Sequence, residues 1–246
     1  MNLITKTARR LLRKPQSRPV PPVPARDCYP SMIFSLDDQV PKPTPRLFDI
    51  SLSAIHHIVE GRVDLADIAS RPNVPHWFTL WPGEHYMLLA ALMLTLRPRL
   101  VIEIGTFTGL SALTLKKYLP PTSRLVTFDL LRWHTLPDTV FVPDDFADQR
   151  LTQCIGDLSD PAVFEQHRSL LEAADFFFID APKDNRFEYQ LMDHLRTVQF
   201  HQPPILLFDD TRLWSMLRFW RLLPYPKLDL TSFGSWSGTG LVDWIP

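Results

Sequence analysis

The residues with the clearest capacity for chemistry are three aspartates and a lysine that follow two apolar runs. Asp180 ends "FFFID", Lys183 comes three residues later, and Asp209 and Asp210 end "ILLFDD". An all-oxygen set of carboxylates suits Mg²⁺ or Ca²⁺ rather than zinc. Such an ion can hold a hydroxyl, lower its pKa and orient it. The two runs therefore predict a divalent metal site with Asp180, Asp209 and Asp210 as ligands.

The same residues also have purely structural interpretations. Asp209 and Asp210 can be one ligand plus a cap for the helical pattern "TRLWSMLRFW". Lys183 can be a solvated lysine at a helix start, and as a base it would need burial or a nearby positive charge to lower its pKa. Five tryptophans can line an aromatic pocket or belong to the core: Trp77, Trp81, Trp214, Trp220 and Trp236.

A glycine turn in "RLVIEIGTFTGLSALTL" joins a β-branched run to a helical pattern through Gly105 and Gly109. At the carboxyl end of a parallel strand, such a turn and the following helix N-terminus favour nucleotide binding. Because position 107 is Phe, the nicotinamide fingerprint G-x-G-x-x-G is not met. A merely structural turn and a membrane-helix dimer motif are the alternatives, and Glu103 argues against the second.

Two further acids follow strand-like runs. Asp129 in "LVTFDL" can accept both hydroxyls of a ribose, or cap a helix at the surface. Asp157 in "QCIGDLSD" can meet an adenine amino group, although an Asp after Gly is also ordinary turn chemistry.

The elements that must position these residues alternate along the chain. Strands are predicted at 100–104, 125–128, 151–155, 176–179 and 205–208, and helices from 110, 162, 184 and 213. This alternation predicts a parallel sheet with helices on both faces. "KLDLTSFGS" and "TGLVDWI" have no helix between them, so they predict an antiparallel hairpin at one side of the sheet.

Two helices are predicted before the first strand. "FDISLSAIHHIVEGR" has helical spacing and stops at Gly61. "WPGEHYMLLAALMLTLRP" has Pro82 near a first turn and ends before Pro98.

Charge divides the chain into a basic leader and an acidic body. Residues 1–26 contain seven Lys and Arg and no acid, and the stretch "PQSRPVPPVPARD" that begins at Pro15 is rich in proline. We interpret residues 1–46 as a flexible leader and residues 47–246 as one folded domain. The start of the leader can alternatively form a basic amphipathic helix at an anionic membrane surface, or a presequence.

Composition excludes several classes of protein. No apolar run reaches transmembrane length. No aromatic residue interleaves the leader's basic residues, and the body is acidic, so a nucleic-acid interface is not predicted. Cys28 and Cys154 lack metal-binding or redox spacing, and we expect reduced thiols in the cytoplasm.

Four segments together carry a resemblance to a known family. In order and spacing, "VIEIGTFTGLSALTL", "FFFIDAPKDN", "ILLFDDTRLW" and "GTGLVDW" resemble motifs of S-adenosylmethionine-dependent O-methyltransferases of the catechol and caffeoyl-coenzyme A type. The similarity runs from about Trp81 to the C-terminus. It implies a class I methyltransferase fold, a Rossmann-like α/β architecture with seven mostly parallel strands and a C-terminal antiparallel hairpin.

The resemblance also implies roles for individual residues. Glu103 would help hold the amino end of S-adenosylmethionine, Asp129 its ribose and Asp157 its adenine, and Lys183 resembles the family's base. The cofactor-binding set by position is Glu103, Gly105, Thr106, Phe107, Gly109, Ser111, Asp129, Asp157 and Asp180. Asp180 is also assigned to catalysis. Two departures are Pro182, where relatives have an acid, and Asp210, where they have Asn.

These observations predict methyl transfer from S-adenosylmethionine to a hydroxyl of a small molecule or glycoside, assisted by Mg²⁺ or Ca²⁺. One alternative is a metal-independent class I methyltransferase acting on a nitrogen, carbon or lipid acceptor. Another is a catalytically silent S-adenosylmethionine-binding protein. A homodimer and a weak contact of the leader with a membrane surface are additional hypotheses about partners.

Overall fold

A single seven-stranded sheet organises the chain in the computed structural model, which describes residues 41–245. Its order is β3-β2-β1-β4-β5-β7-β6, with β7 antiparallel to both of its neighbours and the other pairs parallel. The strands are β1 (Leu100–Ile104), β2 (Arg124–Asp129), β3 (Leu151–Ile155), β4 (Phe176–Ile179), β5 (Ile205–Asp209), β6 (Lys227–Asp229) and β7 (Thr239–Asp243).

Helices precede the sheet and connect its strands. Three short 3₁₀ segments lie at 133–135, 143–146 and 231–233. The α-helices are α1 (Pro45–Val59), α2 (Ala66–Ala69), α3 (Tyr86–Leu96), α4 (Leu110–Tyr118), α5 (Pro161–Gln166), α6 (Arg168–Glu172), α7 (Phe187–Leu195) and α8 (Trp214–Leu222).

The predicted architecture is confirmed: five parallel strands, helices on both faces and a C-terminal antiparallel pair. Two helix starts were predicted too early. The helix expected from 184 begins at Phe187, because the Asp184 carboxylate accepts hydrogen bonds from the amides of Arg186 and Phe187 at 2.9 Å and caps the helix from outside it.

The helix expected to start near Pro82 begins instead at Tyr86. Residues before it are tied to the C-terminal segment: the Gly83 amide donates to the Gly234 carbonyl at 3.2 Å, and the Trp236 amide donates to the Gly83 carbonyl at 3.0 Å. This loop ends at His85, the N-cap residue of α3.

Alternation along the strands divides the core into two layers. In β4, Phe176 and Phe178 enter the layer that contains α1, α3 and α4, whereas Phe177 and Ile179 enter the opposite layer. β5 alternates in the same way, with Leu207 on the first face and Phe208 on the second. The residues two positions after Phe178 and Leu207, which are Asp180 and Asp209, therefore face α3.

The start of the folded unit is anchored to its last strand. Asp243 of β7 is buried and accepts hydrogen bonds from the Thr44 hydroxyl at 2.6 Å and the Arg46 guanidinium at 2.8 Å. The proposed leader, up to residue 40, and Cys28 lie outside the described residues, so the leader's interpretation stays a prediction. No described helix is both long and apolar enough to cross a bilayer.

Candidate active site

The strand alternation brings acids together at one edge and one face of the sheet. Ile179 pairs with Phe208, so Asp180 and Asp209 end neighbouring strands side by side. Both follow core residues of the α3 face by two positions, as does Glu103 after Val101. Asp129 follows Leu125 of the same face by four positions. Four acids from β2, β1, β4 and β5 therefore line the carboxyl end of the sheet.

The glycine turn is packed directly against the end of β4. Gly105 has φ of 103°, and a Cβ placed on it would lie 2.0 Å from the main-chain oxygen of Asp180. Gly109, the N-cap residue of α4, lies against the Phe141 ring and donates its amide to the Thr106 carbonyl at 2.9 Å. The glycine turn, which is the predicted nucleotide-binding loop, therefore lies in direct contact with the end of β4, where the predicted catalytic residue Asp180 is located.

Asp129 holds this turn in place. Its Oδ2 accepts a hydrogen bond from the Phe107 amide at 2.8 Å, and its Oδ1 accepts one from the Leu131 amide at 3.0 Å. The Phe107 side chain is 70% exposed, with φ of 42°. Each carboxylate oxygen keeps a free lone pair, so Asp129 can position the turn and still accept a ribose hydroxyl.

We expect Asp129→Ala to weaken binding of S-adenosylhomocysteine, the demethylated cofactor, by about 1.5 to 3 kcal/mol, the range for a hydrogen bond to a charged group. Calorimetric titration measures this loss. Asp129→Asn keeps one acceptor oxygen and should lie between Ala and wild type. An unchanged dissociation constant in folded Asp129→Ala would refute the ribose assignment.

Glu103 is the most unusual of the four acids. It is fully buried in β1, and neither carboxylate oxygen has a hydrogen-bond partner among residues 41–245. Burial raises its pKa to about 8, although the nearby hydroxyls of Ser111 and Thr127 oppose the shift. A buried carboxylate without a partner is costly. A cationic group such as the amino end of S-adenosylmethionine would satisfy it.

Binding of the cofactor should release a proton at pH 7. The raised pKa keeps Glu103 mostly protonated in the free protein, and pairing with the cofactor's ammonium requires the ionised form. Titrations of S-adenosylhomocysteine in buffers with different ionisation enthalpies measure the proton count. Glu103→Gln should bind without proton release, and equal release by both proteins would contradict the pairing.

The same shift has a consequence for stability. Since the folded pKa lies above the unfolded value of 4.5, the folded chain holds a proton that the unfolded chain has lost between pH 4.5 and about 8. The Glu103 contribution to the unfolding free energy of the cofactor-free protein therefore falls as pH rises through this window.

The other predicted cofactor residues occupy the same edge. Thr106 is buried and shares a 2.7 Å hydrogen bond with Thr127, and Ser111 is buried at the start of α4. Asp157 follows β3, and its Oδ1 accepts the Ser159 amide at 2.8 Å in a turn. The structure thus gives Asp157 the turn role, and its contact with adenine stays a prediction.

At the other end of the row, Asp180, Asp209 and His85 come together. One ligand atom from each lies within 4.8 Å of the others. His85 Nδ1 is 3.4 Å from Asp209 Oδ2, in ion-pair range but without hydrogen-bond geometry, and Asp209 Oδ1 has no partner among the described residues. This set fits a divalent cation, because two ligands on opposite sides of such an ion are about 4 Å apart.

The charges of His85, Asp180 and Asp209 shift one another's pKa values. Burial opposes protonation of His85, but the adjacent Asp209 carboxylate outweighs it and raises the His85 pKa to about 9. Burial and the charge of Asp209 raise the pKa of Asp180. Burial also acts on Asp209, but the positive charge of His85 outweighs it and lowers its pKa.

Lys183 lies beside these acids with only 17% of its side chain exposed. Its ammonium contacts Asp180 and lies 2.8 Å from Asp210 Oδ2. Burial favours the neutral amine, but the two carboxylates outweigh it and raise the pKa of Lys183. In this arrangement Lys183 therefore lacks the lowered pKa that a general base requires. It is not a solvated lysine either, because its side chain is largely buried.

Asp210 differs from the other two predicted ligands, because it does not belong to the cluster with His85, and its carboxylate is paired with Lys183. It does not cap α8, whose N-cap residue is Leu213 with no side-chain hydrogen bond. Of the tryptophans, Trp220 is core, whereas Trp214 and Trp236 are 73% and 68% exposed. Trp236 lies against the loop that carries His85.

Sequence reasoning missed His85 and its neighbour Glu84, whose pKa is raised by burial and which senses the charges of His85, Asp209 and Asp210. Both lie in the turn before α3, a segment that the sequence pattern predicts to be helical. The available signal was the pair of titratable residues Glu84 and His85 directly before a strongly apolar helix.

A cavity of about 490 Å³ lies elsewhere, along the edge strand β3. Trp133, His134, Gln153 and Ile155 are among its lining residues, and the predicted site residues are not. The candidate site is thus defined by strand ends and the glycine turn, and not by this cavity.

The sheet order, the antiparallel β7 and the glycine turn after β1 define a class I methyltransferase fold. The chain belongs to the O-methyltransferase family, whose profile matches residues 82–216, just over half of its 246 residues. It is an S-adenosylmethionine-dependent O-methyltransferase. A search of curated proteins found no match to the chain.

The chain is similar to several solved structures. A candidate caffeoyl-CoA O-methyltransferase from Staphylococcus aureus is 12% identical with a TM-score of 0.51, over 80% of this chain and 100% of that one. A methyltransferase from Geobacter sulfurreducens is 16% identical (TM-score 0.49; 84% and 93% covered). The O-methyltransferase TomG from Streptomyces achromogenes, solved with S-adenosylmethionine, is 18% identical (TM-score 0.45; 83% and 92% covered).

Proposed function

We propose that this enzyme transfers the methyl group to a hydroxyl oxygen of a small-molecule acceptor, held where Asp180 and Asp209 end β4 and β5, with a divalent cation assisting. The observation that carries the proposal is the order of functional groups along the sheet edge. Asp157 follows β3, Asp129 ends β2, Glu103 lies near the end of β1 and Asp180 follows β4. These four strands are consecutive neighbours in the sheet.

That order matches the chemical order of the cofactor. An adenine near Asp157, a ribose on Asp129 and an amino acid near Glu103 leave the sulfonium methyl beside the end of β4. At about 4.8 Å per strand, the row from β3 to β5 spans about 19 Å. The acceptor then lies on the Asp180 side of the methyl group, in line for displacement.

The turn between β1 and α4 supplies the remaining contacts to the cofactor. Its conformation is fixed by the approach of Gly105 to Asp180 and by the Asp129 hydrogen bond to Phe107. The exposed Phe107 and the buried hydroxyls of Thr106 and Ser111 flank this turn. We assign them, with Gly109, to holding the methionine part.

Asp180 and Asp209 are the proposed metal ligands on this chain, and Asp210 is a third candidate that Lys183 engages. When bound, a divalent cation supplies positive charge that lowers the pKa of an acceptor hydroxyl and orients it. Lys183 holds its proton in the ion pairs described above, so we assign it to stabilising negative charge on the acceptor oxygen rather than to removing its proton. The exposed Trp236 offers an apolar wall beside the acceptor.

One observation favours a second candidate, metal-independent transfer. Lys183 already bridges Asp180 and Asp210, and His85 lies against Asp209, so cationic side chains offset part of the carboxylate charge. In that case the two side chains alone would stabilise the acceptor oxygen.

An acceptor screen with radiolabelled S-adenosylmethionine separates these candidates. Phenolic, aliphatic and sugar hydroxyls are offered with added divalent cation and, in parallel, with EDTA. Metal-assisted transfer predicts turnover that EDTA removes and added cation restores. Full turnover in EDTA would support the second candidate, and cofactor binding without transfer to any acceptor would contradict both.

A further inference from the structure

His85 has an environment that a merely structural histidine rarely has. Its side chain is buried, and neither ring nitrogen has a hydrogen-bond partner among residues 41–245. Buried polar groups are normally hydrogen-bonded, because an unsatisfied group retains its full desolvation penalty. The Asp209 carboxylate lies 3.4 Å from Nδ1 but without hydrogen-bond geometry, so the ring can still bind a further partner.

The ring is also held in a fixed position. Its centroid lies 4.4 Å from that of Tyr86 and 5.3 Å from that of Phe178. Its backbone is fixed at the start of α3, where the Leu89 amide donates to the His85 carbonyl at 2.8 Å. Packing thus directs the imidazole toward Asp180 and Asp209, with which it shares the 4.8 Å cluster.

We propose that His85 is a nitrogen ligand of the divalent cation and that this site consequently prefers Mn²⁺, Co²⁺ or Zn²⁺ to Mg²⁺ and Ca²⁺. The inference rests on the metal-assisted form of the proposed function. It replaces the all-oxygen set expected from sequence with one imidazole and two carboxylates. Imidazole suits transition metals, whereas Mg²⁺ and Ca²⁺ take oxygen ligands.

The position of Asp210 supports this assignment. It lies outside the compact cluster that His85 completes, and its carboxylate is paired with Lys183 at 2.8 Å. Three protein ligands leave coordination positions open for acceptor oxygens, as in catalytic metal sites generally.

The test measures metal binding directly. Full-length wild type, His85→Asn and His76→Asn are titrated with Mn²⁺ and with Mg²⁺ by calorimetry. His76 is an exposed histidine and serves as the matched control. Electron spin-echo envelope modulation of the Mn²⁺-loaded proteins then reports whether ¹⁴N is bound to the ion.

We expect ¹⁴N modulation in wild type and His76→Asn and its loss in His85→Asn. His85→Asn should bind Mn²⁺ at least about tenfold more weakly, the loss seen even when only a partner of a metal ligand is removed. Its Mg²⁺ affinity should change little, because Asn supplies an oxygen. S-adenosylhomocysteine binding verifies that the variant is folded, and the wild-type nitrogen signal requires no variant.

The measurements distinguish failure of the His85 assignment from failure of metal-assisted transfer. Mn²⁺ binding without ¹⁴N modulation, or a wild-type preference for Mg²⁺, would overturn the His85 assignment and leave metal-assisted transfer standing. If no divalent ion binds to wild type that still binds S-adenosylhomocysteine, both the assignment and the metal-assisted mechanism are wrong.

Discussion

Asp180→Asn is expected to abolish methyl transfer while leaving cofactor binding nearly unchanged. The Asp180 carboxylate belongs to the cluster with Asp209 and contacts the Lys183 ammonium, whereas Gly105 of the glycine turn packs against the Asp180 main chain. Loss of a positioned charge at a reacting centre typically costs about a hundredfold or more in turnover. Radiolabelled methyl transfer and calorimetric titration of S-adenosylhomocysteine on the same protein measure the two effects.

Asp184→Asn is the matched control for this variant. Asp184 lies in the same loop but is exposed, and its carboxylate caps α7 through the amides of Arg186 and Phe187. Asn is an equally good cap residue, so this variant should keep wild-type turnover. An Asp180→Asn protein with wild-type turnover would remove Asp180 from the chemistry.

Gly105→Ala should destabilise the fold and eliminate cofactor binding. The added Cβ would meet the Asp180 main-chain oxygen at 2.0 Å, and neither backbone atom can rotate away as a side chain would. Left-handed backbone and overpacking together cost about 2 to 5 kcal/mol of unfolding free energy. Chemical denaturation measures this loss, and titration with S-adenosylhomocysteine measures the loss of binding.

Gly61→Ala measures how much of the loss in unfolding free energy comes from the positive φ alone. Gly61 also has a positive φ, 70°, but nothing lies within 4 Å of a Cβ placed on it. It should lose only about 1 to 2 kcal/mol and bind the cofactor normally. Equal destabilisation in both variants would show that the contact between the turn and β4 contributes little.

Strand positions and the acids that follow them could be predicted from sequence because both are local patterns. The apolar runs that end at Asp180 and Asp209 are short, uninterrupted by polar residues and bounded by turn residues. Period-two alternation also contained the information that Glu103, Asp129, Asp180 and Asp209 share one face.

His85 could not be placed in this way, because its proximity to the acids depends on which face α3 covers. The loop from Pro82 to His85 is shaped by hydrogen bonds with Gly234 and Trp236, about 150 residues along the chain. A proline followed by an apolar helical pattern reads as a helix start, and only these long-range contacts move the start to Tyr86.

The protonation state of Lys183 could not be predicted from the sequence either. Spacing from Asp180 predicts that the two side chains are close, but not that Asp210 approaches from the neighbouring strand. Two carboxylates around one ammonium reverse the direction of the pKa shift that burial alone would give.

The most direct test of the central claim is the position of the transferred methyl group. Wild type is incubated with S-adenosylmethionine bearing a CD₃ group, the accepting compound from the screen and the metal that supports turnover, and the product is analysed by mass spectrometry and NMR. We predict a CD₃ ether on a hydroxyl oxygen, formed by wild type and absent with Asp180→Asn. A CD₃ group on nitrogen or carbon, or equal product from Asp180→Asn, would contradict hydroxyl methylation at the Asp180–Asp209 edge.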